Sequence, residues 1–429
     1  MRNYKRAKVM FVAFLATCLL FFTNDCQLID VQKTAIIIAL GIDSAGDELE
    51  ITAQIAIPQA TDTQTNNSDA ILSAKGKTIF DAIDNIGTTT GWYPKLAFCN
   101  LIVFGEELLK KDFMPIIDYM LTSDRFSNSA ILAAAEGTAK DILSSPTPLD
   151  YVSAFALEKI LIRDIDRANT VLVTDIREFA LNVRSQSGFS YMPLIRKKPT
   201  EDKAKGDESS GTPTESTSFL DEKSGYRSII GASQVAGGGA TGKGGSSEKS
   251  GDDGGSDNSI FDARSSILFS RGKYACVIDG EQTLCFNALN EKVTESFFDV
   301  SYKKNGKTIN SVVSVVGNSK QVTMKVQNGI PTYTAKLKLY CKTEEISADP
   351  NTDKLAFYDT ASAECLKSLA EKTKNTLAKI YATAKEYDCD VYQLKNLLFR
   401  HAAKNYPSFK DNVLSIASVT FEVECVNKT

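Results

Sequence analysis

The chain has 429 residues, of which 43% are hydrophobic and 24% charged, with a formal net charge of −4. That length and balance suit two or three ordinary cores and exclude a chain disordered throughout. A mildly acidic chain lacks the basic footprint of a nucleic-acid binder, so phosphate backbones are excluded as partners.

The first residues read as an export leader. Arg2, Lys5, Arg6 and Lys8 precede an apolar run from Val9 to Phe22, the charged and hydrophobic regions of a signal peptide. About 14 helical residues reach roughly 21 Å, short of the roughly 30 Å hydrocarbon core, so cleavage is expected rather than a permanent span. Cys26 is the expected lipid attachment site, at the end of the leader. Cys18, preceded by Leu15, Ala16 and Thr17 but lying inside the apolar run, is the alternative.

Strands and helices then alternate. Ala35 to Leu40 reads as a buried strand and Leu49 to Ile57 as a second, ended by Pro58. Thr78 caps an expected helix carrying Ile79, Phe80, Ile83 and Ile86 on its apolar face, with Gly87 as its stop. Leu96 to Phe104 reads as a strand, Phe113 to Leu121 as a helix that tolerates Pro115 in its first turn, and Ser129 to Ala135 as a strand. Helices are expected around Thr138 to Leu143, Tyr151 to Ile162 and Asp175 to Val183, and a strand at Tyr191 to Arg196. In this segment Trp92, the sole tryptophan, reads as a loop anchor packed on the core, the alternative being the wall of a ligand pocket.

From residue 197 to 259 the composition shifts to Lys, Glu, Asp, Ser, Thr and Gly. Such a stretch buries too little apolar surface to offset its ordering entropy, so a mobile linker is expected. Its glycines fit neither GxGxxG between a strand and a helix nor GxxxxGK[ST], so no nucleotide cofactor is implied. The divisions are therefore a leader over 1–25, a mixed α/β region over 26–196, the linker over 197–259 and an α+β region over 260–429.

After the linker, Ile267 to Ile278 reads as a strand pair and residues 281–290 as a short helix. Phe297 to Val326 reads as a meander turning at Asn305-Gly306 and Gly317-Asn318, with a further strand at Thr332 to Lys342. Two long helices follow. Ser362 to Tyr387 aligns Leu366, Leu369, Leu377, Ile380, Ala384 and Tyr387 on one stripe, and Val391 to Asn405 presents Leu394, Leu397, Leu398 and Ala402 before Pro407. A final strand, Ser418 to Val426, turns Val419, Phe421, Val423 and Cys425 inward. The fold class expected is α/β and α+β: mixed sheets flanked by helices, with an antiparallel sheet and two long helices in the C-terminal region.

Chemistry is sparse. Nine cysteines form no CxxC pair and one histidine accompanies them, so no metal site is expected. Cys276 and Cys285 read as buried free thiols, with a disulfide across the intervening turn as the alternative. His401 reads as a surface histidine near a helix end, and the pairs Glu106-Glu107, Asp164-Asp166 and Asp388-Asp390 as solvated helix ends. No nucleophile has a recognisable activating base, so no catalytic residue is assigned.

In order along the chain stand Cys26, AIIIALGID, ITAQIAIP, GKTIFDAI, LIVFGEEL and DFMPIIDYMLTSDRFSNSAILAAAEGTAKDIL; after the linker come ILFSRGKYACVIDGEQTLCFNAL and KEYDCDVYQLKNLLFRHAAKNYPSF. This series resembles the Ger(x)C family, the lipoprotein C subunits of spore germinant receptors, over most of the chain outside the linker. Members commonly carry Gly-Cys-Trp-Asp at the lipid site, where this chain has Asp25-Cys26-Gln27-Leu28. The resemblance implies a non-enzymatic protein with no cofactor, held by lipid on the outer face of the membrane around the spore core. It also implies an A-type subunit and a permease-like B subunit as partners in sensing a nutrient germinant. The readings from other classes are a small-molecule-binding lipoprotein serving a transporter and a cell-envelope scaffold.

Overall fold

A computed structural model describes residues 8, 10–17, 34–56, 71–147, 152–166, 170–199, 259–304, 306–346 and 360–428. Cys18, Cys26 and residues 200–258 of the expected linker lie outside the described residues. Residues 10–17 are helical, with Met10, Phe11, Val12, Phe14 and Leu15 exposed.

Ten strands form the first sheet: β1 (Thr34–Ala45), β2 (Glu48–Ile55), β3 (Ile71–Gly76), β4 (Tyr93–Lys95), β5 (Leu101–Phe104), β6 (Ile131–Ala135), β7 (Thr174–Asp175), β8 (Phe189–Pro199), β9 (Ser259–Ser270) and β10 (Lys273–Ile278). Their order is β10-β9-β8-β6-β5-β1-β2-β3, with β4 paired to β1 and β7 to β6. The centre, β8-β6-β5-β1, is parallel, and antiparallel strands flank it on both sides. Because side chains alternate along a strand, the central strands serve two cores. Ile102, Phe104, Leu132, Ala134 and Met192 face the helices Ile79–Thr90, Met114–Thr122 and Ile176–Val183, whereas Leu101, Val103, Ala133, Ala135 and Ile195 face Ala139–Leu143 and Ser153–Asp166. The result is a helix-sheet-helix sandwich.

Helix starts follow the sequence closely. Thr78 Oγ1 accepts from the Asp81 amide at 3.1 Å, and Thr138 and Asp175 cap their helices in the same way. The first helix does not stop at Gly87. It runs on to Thr90 and ends at Gly91, whose φ of 73° places it in the left-handed region and whose amide bonds to the Gly87 carbonyl. A Cβ at Gly91 would meet nothing within 4 Å, so Gly91→Ala is expected to cost only the left-handed strain, about 1 kcal/mol. Equilibrium denaturation of the variant checks this.

The hydrophilic stretch connects two strands that are neighbours in one sheet. Lys197, Lys198 and Pro199 pair with Phe261, Ile260 and Ser259, so residues 197–199 and 259 are strand rather than linker. The expected strand pair over 267–278 exists as β9 and β10, turning at Arg271-Gly272 (φ 51° and 76°). It extends the first sheet instead of opening a second.

The second sheet holds β11 (Ser296–Lys304), β12 (Lys307–Gln327), β13 (Ile330–Ile346) and β14 (Ser418–Asn427) in that order. Three features depart from expectation. Gly317-Asn318 makes no turn: β12 runs through with a register shift between Val315 and Gly317. The Asn318 side chain instead accepts from the Val293 amide and donates to the Ala288 and Glu291 carbonyls, closing the end of the helix Gly280–Asn290. The turn falls at Asn328-Gly329, both with positive φ (50° and 76°), as a two-residue hairpin loop requires.

The sheet is also not wholly antiparallel, since β14 lies parallel to β13. A helical crossover returns the chain to the end where β13 began. That crossover has one long helix, not two. Ala363–Glu386 spans 24 residues behind the Ser362 cap, but the second helix is only Leu394–His401. It cannot begin earlier because Gln393 is left-handed (φ 54°), and it ends where Ala402 leaves helical geometry. Leu369, Leu377, Ile380 and Ala384 pack the long helix into the same core as Phe298, Val313, Leu337 and Phe421 of the sheet.

Candidate functional site

In an open α/β sheet the carboxyl ends of the parallel strands are the usual place for a ligand. Here that edge is occupied by the protein's own groups. Asp43, buried near the end of β1, accepts from the Ala139 amide through Oδ1 (2.7 Å) and from the Lys140 amide through Oδ2 (2.9 Å). Its carboxylate fills the position an external anion would take at a helix start. Burial pushes the Asp43 carboxyl above its ordinary value, while the two amide bonds oppose the rise.

Around Asp43 the remaining polar groups pair with one another. Glu106 accepts from the Gly137 amide and, with Glu107, binds Lys110 at 2.9 Å. Lys140 pairs with Glu50 at 2.6 Å, and Arg196 bonds Glu136 at 3.0 Å and Ser265 at 2.9 Å. Gly105, after β5, lies so close that a Cβ there would collide with the Asp43 carboxylate. Gly105→Ala is therefore expected to lose about 1–3 kcal/mol through overpacking, and thermal unfolding of the variant measures it. Sequence reading passed over Asp43. Its signal was an acid at the end of an apolar strand, in AIIIALGID.

The other singled-out residues do not gather. His401 is exposed at the end of its helix. Asp390 departs from the solvated helix end expected of it: it is 0% exposed and accepts from the Leu394 and Lys395 amides at 2.7 and 2.8 Å. Burial pushes its carboxyl up to about 6 against those bonds and the Lys395 charge. Cys276 and Cys285 are buried free thiols, pushed up to about 11 and about 12 chiefly by burial, which keeps them protonated and unreactive. Trp92 is not the buried loop anchor expected of it, being 49% exposed. Among the described residues no three His, Cys, Asp or Glu side chains are placed to hold a metal ion, and no helix is long and apolar enough to cross a membrane.

A wide, solvent-open cleft of about 530 Å³ lies between β11, β12 and the long helix, lined by Tyr302, Lys303, Thr308, Glu364, Lys367 and Glu371. It lacks the enclosed apolar walls of a small-molecule site. Its charged rim resembles the polar margin of a protein contact.

Two family profiles match the chain in order. Residues 28–197 match the N-terminal domain of spore germination proteins, and residues 265–426 match the C-terminal region described as spore germination B3/GerAC-like. A curated relative, spore germination protein B3 of Bacillus subtilis (strain 168), is 24% identical over 198 residues, covering 45% of this chain and 51% of that protein. The chain spans about half the length of the curated relatives it matches. The crystal structure of the GerBC protein is 12% identical, with a TM-score of 0.46 and coverage of 93% of this chain and 100% of that one. With both domains matched in sequence order, the chain belongs to the Ger(x)C family of spore germination proteins.

Proposed function

We propose that this protein is the membrane-anchored C subunit of a spore germinant receptor, without enzymatic activity, working with an A-type subunit and a permease-like B subunit in nutrient-triggered germination. The observation that carries this reading is the ordered pair of family matches, 28–197 and 265–426. A leader followed by a lipid on Cys26, or on Cys18, would hold the folded part on the exported face of the spore inner membrane. The self-satisfied Asp43 edge and the open cleft favour work through protein contacts over work on a bound substrate. A nutrient germinant would then reach the complex through its partners or at a surface shared with them.

Deletion of the gene is expected to abolish germination by nutrients while leaving germination by non-nutrient triggers intact. Tagged protein purified from native membranes in mild detergent is expected to bring a permease-like and an A-type subunit with it. Normal nutrient responses in the deletion strain, or recovery of a transporter in place of those subunits, would overturn the reading.

A further inference from the structure

An aromatic patch lies at the end of the sheet opposite Asp43. Within residues 92–98, Trp92, Tyr93 and Phe98 are 49%, 43% and 53% exposed. The fold holds them out. Gly91 turns the chain away from the preceding helix, Thr90 Oγ1 accepts from the Trp92 amide, and β4 pairs with β1 through Thr34↔Tyr93 and Ile36↔Lys95. Lys95 Nζ stands 5.7 Å from the centre of the Phe98 ring. From Gly87 to Gly105 there is no acidic residue, in a chain with 53 of them.

Tyr93 pairs with Thr34, the first described residue of β1. Only seven residues lie between Cys26 and Thr34, and the eight Cα–Cα steps reach at most about 29 Å even fully extended. A lipid on Cys26 would thus keep this end of the sheet within a short tether of the bilayer. Tryptophan and tyrosine concentrate at the membrane-water interface, where a ring can be buried with its polar tip wet, and lysine is drawn to anionic headgroups. A lipid anchor holds a chain at the bilayer without fixing which face of the folded part meets it.

We propose that residues 92–98 are the membrane-facing surface that orients the anchored protein: the rings of Trp92, Tyr93 and Phe98 enter the headgroup layer and Lys95 meets anionic lipid. The proposal rests on the anchored-subunit reading above. It orients the molecule, with the 92–98 end on the membrane and the Asp43 edge turned away from it.

Trp92 is the only tryptophan, so its emission reports on this patch alone. The lipidated full chain is mixed with vesicles of phosphatidylglycerol and phosphatidylethanolamine, floated on a gradient and read by fluorescence. The expected result is flotation with a blue-shifted emission that brominated acyl chains quench and aqueous iodide does not. The double variant Trp92→Ala/Phe98→Ala, read by flotation alone, is expected to partition about tenfold more weakly, a difference of about 1.4 kcal/mol. Flotation with Trp92 still open to iodide and untouched by brominated lipid overturns the patch and leaves the anchor standing. No flotation of the lipidated chain overturns the anchor and the patch together.

Discussion

Tyr392→Ala is expected to lose about 3–5 kcal/mol of folding stability, the range for deleting a large buried aromatic ring. Tyr392 is nearly fully buried where the helix Gly280–Asn290, the long helix and strands β13 and β14 of the second sheet meet. Its ring centre lies 6.1 Å from Phe286, 6.0 Å from Tyr333, 6.3 Å from Tyr381 and 5.1 Å from Phe421, and its hydroxyl donates to the Leu377 carbonyl at 2.9 Å. Phe286 in turn touches Phe189 at 5.9 Å and Tyr191 at 6.4 Å, on β8 of the first sheet. The series of rings therefore links the cores of the two sheets, and the gap left by alanine cannot be closed by one neighbour moving. Tyr392→Phe keeps the ring and gives up one hydrogen bond, about 1 kcal/mol. Urea unfolding of both variants separates the contributions; equal small losses would show that the ring is not the joint.

Asp390→Asn is expected to remove a pH dependence of stability that the unaltered protein shows between neutral pH and pH 4. Its carboxyl is pushed up to about 6 from 3.8. The folded state thus binds the proton more tightly than the unfolded chain. The resulting stabilisation is complete below about pH 3.8 and is lost as pH rises through about 6, a change on the order of 3 kcal/mol. Asparagine has no proton to exchange, so the stability difference between variant and wild type should widen by that order from pH 7.5 to pH 4. Asp43 and Glu178, also raised chiefly by burial, remain in both proteins and cancel. Asp262 works in the opposite sense: burial raises it, but bonds from Arg264 and Lys198 outweigh that and hold it well below the carboxylate range. Its contribution is present above about 3.8 and lost only in stronger acid. A constant difference across the pH range would mean that the Asp390 carboxylate is solvated.

Legibility followed the distance over which each signal acts. The cap at Thr78 and the helix starts at Thr138 and Ser362 were readable because a side-chain oxygen and an amide three residues later meet within one turn. The final strand showed its inward residues by alternation alone, and Phe421 is buried as that pattern requires. Gly317-Asn318 and Asp390 misled for the opposite reason. Asn318 is engaged by a helix end about 30 residues earlier, and Asp390 by packing that no local pattern records.

By itself the sequence determined the family, most helix starts and the alternation of strands and helices, because capping, periodicity and motif order are properties of neighbouring residues. Only the tertiary structure decided that β9 and β10 complete the first sheet across residues 200–258, that β14 runs parallel to β13, that Asp43 closes the ligand edge, and that Trp92 stands exposed beside the start of β1. Each of those depends on which backbone ladder or side chain comes to lie against a segment remote in the chain. Hydrogen-bond satisfaction and burial select that pairing over the whole molecule, and no window of sequence contains it.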